Sequence, residues 1–259
     1  MAAVDWDFVA RSARKSPFST FHWYPGQLIS QIPATLIGLL SNIGDTVVDP
    51  FAGSGSVVTE AQRLGRRAVA MDINPIATQI IAAKTLSCNA TQFKRISSGM
   101  RAEIAPILGH DLASLQHSEL APTSPASVQL SKWYSAPIGA KLTRLWSFCE
   151  AQIGERRVIC DAVFSSILMA ACRETRSWGY VCDNVQPKDE ASGEDRDLFA
   201  LVAASLGKLE SGYVERERSS EALGGRTAEF SAVQCITESA LTAFDQLGKD
   251  RACLEKCLA

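Results

Sequence analysis

The residues best equipped for chemistry lie in one stretch, TVVDPFAGSGSVVTEAQRLGRRAVAMDINP at positions 46–75. An apolar β-branched run, Thr46 to Val48, ends in Asp49, and a glycine-rich turn with Gly53, Ser54 and Gly55 follows. A helical pattern then leads to a second apolar run, Ala68 to Met71, which also ends in an acid, Asp72. Strand, glycine turn, helix, strand and acid make the layout of a nucleotide-binding βα unit. Gly53 and Gly55 can take backbone angles that other residues avoid, and they let a ligand approach the main chain. Asp49, at the carboxyl end of its strand, faces the crevice where open α/β sheets bind ligands. Asp72 is placed to accept hydrogen bonds from ribose hydroxyls, because an ionised carboxylate only accepts.

The turn also narrows the kind of nucleotide. A dinucleotide site calls for G-x-G-x-x-G, whose third glycine packs helix against strand while the helix N-terminus holds a pyrophosphate. Here the run is G-S-G-S-V-V, so the third glycine is missing. An acid directly before the turn is a poor neighbour for a diphosphate and a good one for a cation. A sulfonium bearing an amino group fits that charge, and the chemistry favours S-adenosylmethionine.

Around this stretch the pattern predicts the elements that position it. Leu28, Ile32, Leu36, Leu39 and Leu40 recur at helical spacing over 27–42, and Gly44 ends the run. Strands are expected at 46–49 and 67–72, with helices at 56–65 and from Pro75 to 87, and residues 1–20 are read as irregular. Residues 91–120 are weakly amphipathic, and APTSPASV at 121–128 reads as a linker. Helical patterns return at 137–152, 158–173 and 197–216, with a polar loop at 183–195. A last strand is expected at 232–237, followed by an amphipathic helix through Leu241, Phe244 and Leu247. The expected fold is α/β: a βα core at 20–87, a mainly helical insertion at 88–230 and a return to the core at 231–259.

Composition sets outer bounds. The chain has 259 residues, is 46% apolar and 21% charged, and carries a net charge of −2. That balance gives no global support to nucleic-acid binding, so any basic face must be local. The eight cysteines form no C-x-x-C pair and are read as reduced, mostly buried thiols of a cytoplasmic protein. The longest apolar stretch, 32–40, contains Pro33 and is too short to span a bilayer.

D-P-F-A-G-S-G at 49–55 resembles the cofactor motif of amino-group DNA methyltransferases, which make N6-methyladenine or N4-methylcytosine. MDINP at 71–75 is similar to that family's next motif, and FHWYPGQLISQIPATLI at 21–37 to the segment that encloses the methionine end of the cofactor. The resemblance is strong over 20–87 and weaker over 132–188. It implies a Rossmann-like methyltransferase fold, S-adenosylmethionine as cofactor, double-stranded DNA as partner and a setting in restriction-modification. It also implies cofactor contacts from His22, Tyr24, Pro25, Asp49, Phe51, Gly53, Gly55, Asp72 and Asn74, and Glu238 in ITES as a candidate near the adenine. Three of these have simpler readings beside the functional one. His22, Trp23 and Tyr24 also suit a hydrophobic anchor, and Glu238 suits the first turn of a helix capped by Thr237 or Ser239.

One departure separates cofactor binding from catalysis. The family's transfer step needs a tetrapeptide of the type [DNS]-P-P-[YFW], which grips the target amino group and stacks on the flipped base. The chain has ten prolines and no two are adjacent. The expectation is a fragment with an incomplete sheet, which binds cofactor weakly or not at all and does not methylate DNA. A split enzyme whose second polypeptide carries the catalytic loop is the competing expectation. An RNA methyltransferase and a non-catalytic cofactor-binding subunit are the alternatives in function.

Other clusters carry less. His110, Asp111, His117 and Glu119 lack metal-ligand spacing. Lys132, Lys141, Arg144, Arg156, Arg157, Arg173 and Arg176 alternate with Trp133, Tyr134, Trp146 and Trp178, which fits a nucleic-acid face and ordinary amphipathic helices equally. The alternating run Glu215 to Arg218 is expected to be a solvated face.

Overall fold

Three short parallel strands organise the part of the molecule that holds the glycine turn. They are β1 (Thr46–Asp49), β2 (Arg67–Met71) and β3 (Val233–Ile236), in the order β1-β2-β3. Val48 pairs with Val69 across the first ladder, and Ala70 with Cys235 across the second. The computed structural model describes residues 16–109, 133–172, 196–222 and 233–239. The linker at 121–128, the loop at 183–195, the helix through Leu247 and the His110 to Glu119 cluster lie outside them.

Parallel neighbours need a crossover, and the helices supply it. The described helices are α1 (Pro17–Phe21), α2 (Gln31–Leu40), α3 (Ser56–Arg63), α4 (Pro75–Lys84), α5 (Ala90–Gly109), α6 (Ala136–Glu150), α7 (Gly154–Ala171) and α8 (Leu198–Ala222). The chain divides into two compact units, one of Met1–Arg95 with Gly207–Ala259 and the other of Ile96–Leu206. In the first, Val58 and Ala61 of α3, Ala68 and Ala70 of β2, and Ile81 of α4 form a dry core with Ile37 and Ala52. β2 is buried along Ala68 to Met71, as a strand covered on both faces must be.

In the second unit, α6 and α7 form a helical pair. Ile138, Leu142, Leu145 and Cys149 face inward from α6, and Ile159, Cys160, Val163 and Ile167 from α7. Three hydroxyls of this unit find partners within it. The Tyr134 hydroxyl donates to the Leu168 carbonyl at 3.2 Å, and Ser166 and Ser205 share a hydrogen bond at 2.5 Å.

Element boundaries moved where proline and long-range contacts decide them. The helix expected at 27–42 begins only at Gln31, which puts Pro33 in the first turn, where a missing N–H costs nothing. The stretch expected to be irregular before residue 20 holds α1, with Pro17 at its first position. Helix α5 runs unbroken through Pro106 to Gly109, and α8 extends to Ala222 instead of stopping at 216.

The largest correction falls on Glu215 to Arg218, expected to face solvent. Arg216 is 3% exposed. Its guanidinium donates to the carbonyls of Leu86 at 3.1 Å and Cys88 at 2.6 Å, and lies 3.5 Å from that of Lys84. The Lys84 carbonyl is the last of α4 and the other two belong to the segment just beyond it, where a cation also suits the helix dipole. Tyr213, one turn earlier on α8, accepts from the Leu86 N–H and donates to the Ala83 carbonyl. Its ring stacks on Phe93 at 4.2 Å and lies under the Arg216 guanidinium. A segment remote in sequence thus closes the end of α4.

Candidate functional site

The glycine turn is held through its backbone N–H groups, which donate to both carboxylates and carbonyls. β1 ends at Asp49, whose Oδ1 accepts the Phe51 N–H at 3.1 Å. The Ala52 N–H then donates to the Met71 carbonyl at 2.9 Å, which ties the turn to the end of β2. Asp72 completes the link. Its Oδ2 accepts from the Gly53 N–H and its Oδ1 from the Asn74 N–H, each at 2.8 Å. Asn74 caps α4, its Oδ1 accepting the Ile76 N–H at 3.0 Å while its Nδ2 donates to the Tyr24 hydroxyl at 3.4 Å. One carboxylate and one carboxamide therefore hold together the turn, the start of α4 and the segment after α1.

The two glycines are required for different reasons. Gly53 has φ +50° and Gly55 φ +81°, backbone that side-chain-bearing residues rarely adopt. A Cβ on Gly53 would stand 3.2 Å from Tyr24 Cε1, at the flat face of a ring. A Cβ on Gly55 would stand 2.7 Å from Ile81 Cγ1, inside the core. Gly53 brings the Tyr24 ring onto the turn, and Gly55 lets α3 and α4 approach each other.

The electrostatics of the strand ends are acidic. Burial holds the Asp49 carboxyl above the usual carboxylate range, against the pull of the Phe51 N–H and with a further push from Asp72. Among the described residues no basic side chain pairs with either acid. His22 is 9% exposed, and its Nδ1 lies 2.5 Å from the Trp23 carbonyl oxygen. Burial pushes the imidazole down; the Trp23 carbonyl opposes this, and Lys84 adds to it. Lys84 itself is 1% exposed, and its Nζ donates to the Ser54 carbonyl at 2.6 Å. The Ser54 hydroxyl is buried in the turn with no hydrogen-bond partner.

The predicted residues thus fall into three groups. Tyr24, Gly53, Asp72 and Asn74 are joined directly, and Asp49 and Gly55 belong to the same turn. Phe51 is 82% exposed beside it, and Pro25 is exposed next to Tyr24, while His22 is buried against the Phe21 ring. Glu238 stands half-buried just past β3, next to Thr237, whose hydroxyl meets that of Thr78 on α4 at 3.0 Å. Sequence reasoning passed over Ser54, Lys84 and Ile73. Ile73 is 74% exposed between Asp72 and Asn74, and an apolar residue set between two polar ones was its available signal.

Two of the arginines in the second unit are paired with acids, and one of them also lies over an aromatic ring. Arg156 holds Glu103 through both terminal nitrogens, and Arg157 binds Asp161 at 2.9 Å while lying over the Trp146 ring. Trp146 also packs on Phe164, and Tyr134 is buried. Lys132, Arg173, Arg176 and Trp178 lie outside the described residues.

Comparison with known proteins gives a consistent picture over the same stretch. The family model for N6/N4 DNA methylases matches residues 5–83. The type II methyltransferase M.MjaII of Methanocaldococcus jannaschii is 27% identical over 97 residues, covering 36% of this chain and 18% of the relative. M.MjaI of the same organism is 43% identical over 54 residues, covering 21% of this chain and 18% of the relative. The chain therefore spans less than a fifth of the length of either relative. No solved structure matches it significantly. The stretch that builds the glycine turn, its two acids and the Tyr24 segment is the stretch through which this chain resembles amino-group DNA methyltransferases.

Proposed function

We propose that residues 20–87 are the S-adenosylmethionine-binding core of an amino-group DNA methyltransferase with a Rossmann-like fold. The observation that carries this reading is the Asp72 carboxylate, which binds both the turn at Gly53 and the N-terminus of α4 beside a second acid, Asp49. The residues present fit such a ligand. The crevice offers two carboxylates for a cationic molecule, and the buried Ser54 hydroxyl still has a hydrogen bond to make. Each Asp72 oxygen, with one N–H already accepted, keeps lone pairs for ribose hydroxyls. Phe51 and Ile73, exposed at the ends of the two strands, offer apolar surface to a purine.

S-adenosylmethionine supplies an electrophilic methyl group; the chain's own contribution is to bind and orient it. Asp49 offsets the positive charge, Asp72 and Asn74 fix the sugar, and Tyr24 with Pro25 and His22 closes the methionine end. Glu238 would sit toward the base. The catalytic tetrapeptide has no counterpart among these 259 residues, so the transfer step draws on polypeptide outside them. A bacterial-type cytoplasmic restriction-modification setting and recognition of double-stranded DNA by residues 88–230 complete the proposal.

Isothermal titration of the full chain with S-adenosylmethionine, S-adenosylhomocysteine and NADH tests the cofactor assignment. Saturable binding of the two adenosyl ligands, lost in D72A, is expected. Binding of NADH in their place would overturn it. The chain alone is expected to leave DNA unmethylated, and tritiated methyl transfer to DNA by the purified chain would contradict the division of labour.

A further inference from the structure

Lys84 is buried at the last turn of α4, where the helix dipole suits a cation but burial removes its hydration. Its Nζ donates to the Ser54 carbonyl, the one turn carbonyl between Gly53 and Gly55. Its own carbonyl lies under Arg216, and its neighbour's carbonyl holds Tyr213, so the backbone beneath the ammonium is fixed from α8. The turn above it is fixed at Gly53 by Asp72 and at Gly55 by the Ala52 carbonyl. The Lys84–Ser54 bond is thus the link between the bottom of α4 and the peptide that a bound nucleotide would face.

We propose that Lys84 is the positioning residue of the glycine turn, a buried cation whose protonation state sets how well that turn takes a positively charged ligand. The inference rests on the cofactor reading above and adds a regulation to it. Protonated, the side chain makes a charge-assisted bond to Ser54 and places a positive charge close behind the crevice. Deprotonated, it still donates through a neutral amine, and the repulsion of a cation is gone. Burial holds the ammonium down to about 7, so the change falls in the physiological range.

The other titratable groups nearby do not share that window. His22, facing Lys84 from the segment after α1, is pushed below its ordinary 6.5. Cys235 on β3, which packs on α4, is pushed up to about 11 by burial. Arg216 on α8 is pushed below its ordinary value by burial, and the Tyr213 hydroxyl is engaged with the Ala83 carbonyl and the Leu86 N–H. At the strand ends, burial pushes the Asp49 carboxyl above its ordinary value, and Asp72 is held by the Gly53 and Asn74 N–H groups.

Two measurements on the full chain test this. In the first, NMR follows the Gly53, Ser54 and Gly55 amides and the Lys84 Cε signal through a pH titration. The expected result is one shared inflection, absent from the amides of K84M; turn amides that stay flat while Lys84 titrates overturn the proposal. The second compares affinities for S-adenosylmethionine and S-adenosylhomocysteine, which differ by one positive charge. Between about pH 6 and about pH 8 the preference for the sulfonium should rise on the order of fivefold in the wild type. K84M should show a smaller change, reflecting only titration of the ligands. A wild-type ratio no more pH-dependent than that of K84M overturns the proposal. Should K84M not fold, the wild-type amide titration still decides. If neither ligand binds at any pH, the cofactor reading falls, and the amides still report whether Lys84 governs the turn.

Discussion

Charge is used in opposite ways in the two compact units. In the first, acids at the strand ends are satisfied by backbone N–H groups: Asp49 by Phe51, Asp72 by Gly53 and Asn74. In the second, acids are satisfied by arginines, Glu103 by Arg156 and Asp161 by Arg157. A carboxylate bonded to N–H groups keeps its negative charge visible, whereas one bonded to a guanidinium is neutralised. The strand ends therefore keep acids that no described basic side chain pairs with. The helical unit spends at least two of its arginines on itself and has fewer left for phosphates.

The comparison can be broken most forcefully at Gly55. G55V forces a side chain into left-handed backbone and against Ile81, and should cost about 3 kcal/mol or more in chemical denaturation. R216M removes the donor to the carbonyls beyond α4 and should cost about 2 kcal/mol, with R216K recovering only part of it. D72N leaves one acceptor oxygen for two N–H groups; a loss of about 1 kcal/mol is expected. Amide exchange at Gly53 or Asn74 should quicken as well.

Asp49 tests the charge argument by its sign. Its folded carboxyl sits above the ordinary 3.8, so the native state binds the proton more tightly than the unfolded chain. Stability then falls as pH rises from 3.8 through the folded value. D49N should stabilise the ligand-free chain at neutral pH, with the gain vanishing in acid, and should weaken S-adenosylmethionine binding. Loss of stability at neutral pH would mean that the carboxylate is structural. The smallest effect belongs to the second unit. E103Q removes the charge facing the half-buried Arg156, which keeps its bond to Gln152, and should change stability by about 0.5 kcal/mol or less.

What could be read in advance was local. The strand, turn, helix and second strand of 46–75 are each specified by neighbours in sequence, with Gly53 and Gly55 marking backbone that little else tolerates. Asn74 before Pro75 likewise marks a helix start within two residues. Arg216, Lys84 and Ser54 were illegible for the opposite reason. Their partners stand 30 or more positions away, and an alternating charge run carries no sign that one member is buried. Asp72 was legible as an acid after a strand, but its grip on the turn's own N–H groups emerges only when β1 and β2 are paired.

The clamp of α8 on α4 has a consequence for how this protein can vary. The chain leaves the first unit within α5 and returns to it within α8, so the whole second unit is, to the crevice, a loop whose ends are pinned. Closing a loop twice as long costs only about 0.6 kcal/mol more. Inserts of other sizes could be exchanged between those two helices, provided Tyr213 and Arg216 still find the end of α4. The crevice would inherit new partners without being rebuilt.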